Sequence, residues 1–167
     1  MTRLGLWRFV HLLTVELGGE IQRMTAGTGI IHSEMNPSDS EPVHFLQLWF
    51  EPAEYGLEPS YEQMSFAPEA MRNRLLATVS GKTLDTPTVF IHQDLTLYLS
   101  RLDAGKSVEF EQPEGRKIYL FVMEGDLVLN GGEHRLNRRD AARITDTPRL
   151  RIESGEAGAY LMLIDLP

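Results

Sequence analysis

Residues 24–38 read MTAGTGIIHSEMNPS, and this stretch is the most informative part of the sequence. Its glycines predict a tight loop, followed by a strand that carries His32 and Glu34. Positions i and i+2 of a strand point to the same face. An imidazole and a carboxylate that face an apolar interior are costly unless they pair or bind a metal. Nitrogen and oxygen ligands without sulfur suit Fe, Mn, Cu, Ni or Zn. Taken alone, a His-x-Glu pair is more typical of a hydrogen-bonded or surface pair.

Working outward from this stretch, the chain after Gly18-Gly19 has the texture of a β protein. Short runs of apolar, β-branched and aromatic residues alternate with Gly, Pro, Asn and Asp, and such spacing predicts an all-β barrel or sandwich. Only Pro68–Arg74 is predicted to be briefly helical. The predicted strands are Gly29–Ser33, His44–Phe50, Leu75–Ser80, Val89–His92, Leu95–Leu102, Ser107–Phe110, Lys117–Glu124, Asp126–Asn130, Ala141–Thr145, Leu150–Glu153 and Gly158–Ile164.

The first 17 residues differ from the rest. They read MTRLGLWRFVHLLTVEL, and Leu6, Val10, Leu13 and Leu17 would share one face of an amphipathic helix. The alternative interpretation is a segment that simply packs on the core. No cleavage site of a secretory signal follows, and the apolar run is too short for a membrane span of about 20 residues.

Length suggests how the chain divides. A small closed barrel needs roughly 70–90 residues. Residues 86–167 are enough for one barrel, whereas residues 18–65 are too few. We therefore expect an atypical N-terminal segment (1–17), a partial first barrel (18–65), a connector (66–85) and a complete second barrel (86–167).

The quoted stretch, followed by HFLQLWF (44–50) and EPSYEQ (58–63), resembles the central signature of the pirin family. It is most similar to the bacterial branch of that family with quercetin 2,3-dioxygenase activity. The resemblance runs from about Gly18 to the C-terminus. It implies an all-β, jelly-roll-like cupin double barrel, here with an incomplete N-terminal barrel.

The resemblance also implies a metal site. Pirins hold one divalent transition metal through three histidines and a glutamate, and His32 and Glu34 match the last two ligands. The sequence has no upstream His-x-His pair, which favours a truncated or frameshifted upstream coding region and leaves metal binding in doubt. Iron is the metal expected first, with Mn, Cu, Ni or Zn as alternatives. Glu34 would also act as the catalytic base, and His44 and Gln47 would line the substrate pocket.

In the second barrel, a cupin-like spacing places the ligand positions at Glu111, Pro113 and Ile118, so we expect no metal there.

Composition limits the function classes. The net charge of -8 disfavours non-specific binding to nucleic acid, and no Lys/Arg cluster suggests a specific contact. The absence of cysteine suits a cytoplasmic protein. Three functions stay open: metal-dependent oxygenation of a small flavonol-like substrate, non-catalytic binding of the transcriptional co-regulator type, and an inactive fragment. Because an unfinished barrel exposes strand edges, we also expect self-association.

Overall fold

The computed structural model describes residues 11–16, 18–33, 35–36 and 38–167. These residues form twelve β-strands and one short 3-10 turn at Pro68–Met71, which confirms the predicted all-β class. No helix in this part of the chain has the length and apolar character needed to cross a membrane. The strands are β1 (His11–Glu16), β2 (Glu20–Thr25), β3 (Phe45–Phe50), β4 (Ser60–Ser65), β5 (Leu76–Ser80), β6 (Val89–Phe90), β7 (Thr96–Leu102), β8 (Ser107–Glu111), β9 (Lys117–Leu129), β10 (His134–Asn137), β11 (Ala141–Ile144) and β12 (Arg149–Leu166).

The chain divides into two compact units. The first comprises Met1–Ser65 and Val89–Gln93, and the second comprises Phe66–Thr88 and Asp94–Pro167. Within the first unit, four strands form an antiparallel sheet in the order β3-β1-β2-β4. The two central strands of this sheet are thus β1, from the N-terminal segment, and β2, just before the glycine loop.

The second unit is built around two long strands, β9 and β12. The order of its sheet runs β10-β9-β12-β7-β5, while β11 also pairs with β9 and β8 also pairs with β12. One face of these strands forms a continuous apolar core, as period-2 alternation requires. Its buried members include Leu102, Phe110, Ile118, Leu120, Val122, Leu127, Leu129, Leu150, Ile152, Leu161 and Leu163.

Two glycines let β9 and β12 stay paired while both strands bend. Between Ser154 and Ala159, β12 bulges out of register with β9, so the strand pairs with β8 before the bulge and with β7 after it. Gly125 has φ 74° and Gly158 has φ 77°, in the left-handed region that favours glycine. A Cβ on Gly125 would overlap the carbonyl oxygen of Gly158. The bend therefore requires glycine at position 125.

Four charged residues of this unit form a network of ion pairs. The Arg116 guanidinium lies 2.9 Å from the Asp94 carboxylate and 2.8 Å from that of Asp165, and Lys82 lies 3.2 Å from Asp94. These hydrogen bonds, first from Arg116 and then from Lys82, hold the pKa of Asp94 below its ordinary value. Asp165 lies at the end of β12, so these ion pairs connect the C-terminal strand to the segment before β7.

Several predicted elements differ from those observed. The predicted strand Gly29–Ser33 is wrong: Gly29 N–H donates to the Ala26 carbonyl in a turn, and only Ile30 keeps an isolated bridge. The helical alternative for the N-terminal segment is wrong over residues 11–16, which form β1. Leu6, Val10 and Leu17 lie outside the described residues. The pairs of strands predicted on either side of Gly125 and of residues 154–157 are each one continuous strand.

We predict that Gly125→Ala destabilises the second unit by several kcal/mol, on the order of 3 or more, because it adds a backbone clash to left-handed strain. The matched control is Gly131→Ala. Gly131 has φ 72°, yet a Cβ there would meet nothing within 4 Å. The control should therefore lose only about 1 kcal/mol. Urea unfolding followed by far-UV circular dichroism measures both, and equal losses would show that the close crossing is not what requires glycine.

Candidate functional site

One face of the four-stranded sheet combines aromatic and amide side chains, and we call it the Gln47 face. Side chains at directly paired positions share a face, so the strand register defines it. Trp49 of β3 and Tyr61 of β4 lie at one level of the sheet, in the row that passes through positions 12 and 24. Gln47 and Gln63 lie at the next level, in the row through Thr14 and Gln22.

Local hydrogen bonds link the two rows on each outer strand. The Trp49 indole N–H donates to Gln47 Oε1 at 3.4 Å on β3. On β4, the Tyr61 hydroxyl donates to Gln63 Oε1. Each outer strand thus presents an aromatic ring beside a side-chain amide.

Exposure varies across the Gln47 face. Thr14 and Met24, on the central strands, are buried. The aromatic residues of the outer strands are not, since Phe45 is 44%, Trp49 41% and Tyr61 54% exposed. Large exposed aromatic groups on one face are typical of a binding or interaction surface. A planar aromatic group with an adjacent amide, as on each outer strand, can stack on and hydrogen-bond to a flat polar aromatic molecule.

The opposite face of the sheet is organised by a buried arginine. Arg23 of β2 is only 5% exposed. Its guanidinium donates to the Phe90 carbonyl at 2.9 Å, to Ser60 Oγ at 2.6 Å and to Glu62 at 3.0 Å. Glu62 in turn accepts from the Phe90 N–H at 3.1 Å. Arg23 thereby joins β2, β4 and β6 and satisfies its buried charge.

The glycine loop after β2 leads to His32. Gly27 has φ 52°, and a Cβ there would overlap the carbonyl of Leu57, so the loop lies directly against that backbone. His32 follows the loop and is partly buried. Both of its ring nitrogens are buried, and neither has a hydrogen-bond partner among the described residues. A buried polar atom without a partner costs about 1–3 kcal/mol, so this imidazole is suited to an additional ligand.

The described side chains provide part of the expected metal site. An imidazole nitrogen that is buried and unsatisfied suits a transition metal of the N/O-ligand class. In the described ranges, however, no group of three or more His, Cys, Asp or Glu side chains is arranged to hold a metal ion. His32 therefore fits as one ligand, and a complete cage is not formed by this part of the chain.

The other predicted site residues have different positions. Glu34 lies outside the described residues. His44 is exposed and directly precedes β3. Gln47 is partly buried on β3, on the face to which it gives its name. No hydrogen bond or ion pair between His32 and either His44 or Gln47 occurs among the described residues, and the pocket they were expected to form stays a prediction.

The cupin-like positions of the second unit hold other side chains. Glu111 forms an ion pair with Arg149 at 2.7 Å. Pro113 lies in the turn after β8, and Ile118 is a core residue, 1% exposed. The three positions that correspond to metal ligands are thus occupied by a residue in an ion pair, a residue in a turn and an apolar core residue.

Comparison with known proteins identifies the class of fold as the cupin class. A family model described as the quercetinase C-terminal cupin domain matches residues 77–166, and the pirin model matches residues 14–50. The chain therefore belongs to the pirin family, as the signature predicted. It is a cupin protein with a partial N-terminal part.

Individual relatives agree with this assignment. The quercetin 2,3-dioxygenase of Escherichia coli K12 is 33% identical over 149 residues, which is 89% of this chain and 62% of that protein. A Mycobacterium tuberculosis protein with a provisional quercetin 2,3-dioxygenase name is 38% identical over 145 residues, 86% of this chain and 58% of that protein. The chain thus spans about 60% of the length of these curated relatives.

One of the similar solved structures is that of a pirin with a bound metal ion. The bacterial pirin YhhW of Escherichia coli in complex with nickel(II) superposes with a TM-score of 0.86 and 29% identity, covering 99% of this chain and 76% of that one. A metal-binding pirin therefore shares this fold, and the two proteins are also similar in sequence.

Sequence reasoning missed most of the Gln47 face. It did not predict β2 or β4, whose sequences EIQRMT and SYEQMS are too polar for a hydrophobic pattern. The available signal was the opposite charge of Arg23 and Glu62, each at the centre of a polar run of strand length. The alternation of Phe45 and Trp49 with apolar residues predicts a buried strand, in which these aromatic side chains are core residues first and ligand-stacking groups second. No such role is predicted for Tyr61.

We predict that the chain self-associates through the Gln47 face. Light scattering over a concentration series should show dimers or larger species, and Phe45→Ser combined with Trp49→Ser should weaken association by roughly 10-fold, because it removes exposed aromatic area. Tyr55→Ser is the control, since Tyr55 is 71% exposed but lies in a loop outside the sheet. A chain that stays monomeric at every concentration would contradict the prediction.

Proposed function

We propose that this chain binds a divalent transition metal through His32 and Glu34 and takes part in the oxygenation of a small flavonol-like substrate. The observation that carries the proposal is the His32 imidazole, whose two buried nitrogens lack partners among the described residues. Family membership and the names of the relatives support the reaction class. The substrate class rests on the same names and on the aromatic and amide rows of the Gln47 face.

The residues have separate roles in this proposal. A metal of this class supplies Lewis acidity and a template that orients the substrate. His32 provides a neutral nitrogen ligand. Glu34, by family resemblance, provides an oxygen ligand and accepts the proton of the substrate hydroxyl group. Trp49 stacks on the planar ring system, while the Gln47 amide beside it on β3 fixes the orientation of the substrate.

Two protein ligands leave several coordination positions to water, substrate or a neighbouring molecule. Such a site holds its metal more weakly than a complete set of four ligands does. Iron remains the metal proposed first, and nickel gains support from the YhhW complex. The cytoplasmic location expected from the lack of cysteine is part of the same proposal.

A second candidate is a non-catalytic binding function. It is favoured by the exposed aromatic residues of the Gln47 face together with the absence of a three-ligand cluster in the described ranges. In that case the face contacts a partner and no turnover occurs. The two candidates differ in whether substrate is consumed, which the following experiments measure.

Metal content is the first prediction of this proposal. The purified chain should contain about one transition metal per molecule, measured by inductively coupled plasma mass spectrometry, because His32 supplies a ligand. His32→Ala should lose at least about 90% of it, which corresponds to a fall in affinity on the order of 100-fold. His134→Ala, a histidine of the second unit, is the control and should keep the metal. Little metal in all three samples would remove the basis of the proposed activity.

Oxygen consumption is the second prediction. The metal-loaded chain should take up oxygen when quercetin is added, and His32→Ala should abolish this uptake. Gln47→Leu should raise KM by about 10-fold with a smaller change in kcat, since it removes a hydrogen bond that positions the substrate. Absence of uptake by a folded, metal-loaded sample would favour the binding function.

A further inference from the structure

The second unit contains a cavity whose lining includes none of the candidate metal and substrate residues described above. Its volume is about 620 Å³, within the roughly 300–1,000 Å³ that is typical of small-molecule sites. It lies along β10, β11 and the start of β12, with residues 142–147 on one side and 130–136 on the other. All of its lining residues belong to the unit that comprises Phe66–Thr88 and Asp94–Pro167.

The floor of this cavity is apolar. Leu150 is a fully buried member of the core, and Leu136 and Ile144 pack against that core. Strand register explains the arrangement, because Leu136 pairs with Leu127 and Ile144 pairs with Ile118 on the inward face of β9. Ala142, two residues before Ile144, faces the same way and its small side chain leaves the space open. The floor can therefore hold an apolar ring.

The rim of the cavity is cationic. Arg135 and Arg143 both line it, and Glu133 is its one lining carboxylate. Because side chains alternate along a strand, both arginines start from the face opposite to Leu136 and Ile144. They therefore border the cavity at the edge of β10 and β11, each of which pairs only with β9 among the described strands.

Arg135 is neutralised in part by Asp126 at 3.2 Å. No carboxylate of the described residues lies within ion-pair distance of Arg143, whose guanidinium is thus available to an anion. In a chain of net charge -8, this is a local reversal of sign.

Hydroxyl groups complete the rim. Thr145 and Thr147 line the cavity on the side of β11. The Thr147 hydroxyl donates to the Thr145 carbonyl at 3.1 Å, and its oxygen can still accept a hydrogen bond. A ligand that carries hydroxyl groups as well as a negative charge would match these positions.

We propose that this cavity binds a hydroxylated aromatic carboxylate. The carboxylate forms a charge-assisted pair with Arg143, the ring packs on Leu136 and Ile144, and the ring hydroxyls contact the threonine hydroxyls. The site does not depend on a metal or on His32, so it stands or falls independently of the proposed oxygenation.

The surrounding charge raises a competing explanation. Residues 134–143 read HRLNRRDAAR, and four of these ten residues are arginine, a cluster that the sequence analysis did not single out. Such a cluster could attract any polyanion in a non-specific way. The apolar floor and the single unpaired arginine at the cavity favour a small ligand, and the variants below separate the two.

Binding of 3,4-dihydroxybenzoate to the full chain tests the proposal by ¹H–¹⁵N NMR titration. We expect a dissociation constant on the order of 0.1–1 mM, with shifts confined to residues 130–150. The neutral isostere 3,4-dihydroxybenzamide should bind at least about 10-fold more weakly, because it cannot form the charge-assisted pair. Equal binding of acid and amide would overturn the proposal.

Two variants locate the site. Arg143→Gln should weaken binding by at least about 10-fold. Arg139→Gln makes the same charge change in the connection between β10 and β11, outside the cavity, and should leave affinity within about twofold. Ala142→Phe should abolish binding by filling the cavity, with thermal unfolding used to confirm that it folds. Equal losses in Arg139→Gln and Arg143→Gln, or shifts centred on residues 24–50, would show that the cavity is not the site.

Discussion

The close antiparallel pairing of β9 with β12 is the constraint on which the second unit depends. The two strands run beside each other from Lys117 to Leu129, and almost every other strand of the unit joins one of them. Strands this long twist and diverge unless bulges bend them together. Gly125 and Gly158 permit that bend by letting two backbones meet where no side chain fits. The core and the cavity beside β10 and β11 both follow from this pairing.

The four-stranded sheet of the first unit depends on a polar interaction instead. Arg23 is buried and donates hydrogen bonds to residues of β4 and β6. Removing it would leave the Glu62 carboxylate and the Phe90 carbonyl without this donor. Its ring of partners makes a charged residue compatible with a sheet interior. This arrangement matters for function because Arg23 and its partners occupy one face of the sheet. The aromatic and amide side chains of the Gln47 face therefore lie on the other face, where they can contact a ligand.

Local pattern was sufficient for the strands with apolar β-branched residues and insufficient where polar contacts form the strand. β3, β5, β7, β8 and β11 were predicted to within a few residues. β2 and β4 were missed because their stabilising contact, Arg23 to Glu62, links positions 39 residues apart. Conversely, the run Gly-Ile-Ile-His-Ser has strand propensity, but the turn at Ala26–Gly29 takes it out of the ladder. The family was evident from one motif, whereas the Gln47 face required the register of four strands.

The state of His32 links fold to chemistry most directly. An imidazole with both nitrogens buried and unpartnered among the described residues carries a penalty of about 1–3 kcal/mol for each unsatisfied group. A purely structural histidine at such a position would be expected to find a backbone or side-chain partner, because buried polar groups almost always do. Folding here supplies none from the described residues, although the nearby Asn36 and Ser38 satisfy each other and the backbone around them. Within the described part of the chain, unpartnered buried polar atoms also occur in the second unit, at Ser100 and Gln112, but His32 carries two of them on one ring, and both are nitrogens of the kind that bind transition metals. This pair of nitrogens is the argument for a ligand at His32.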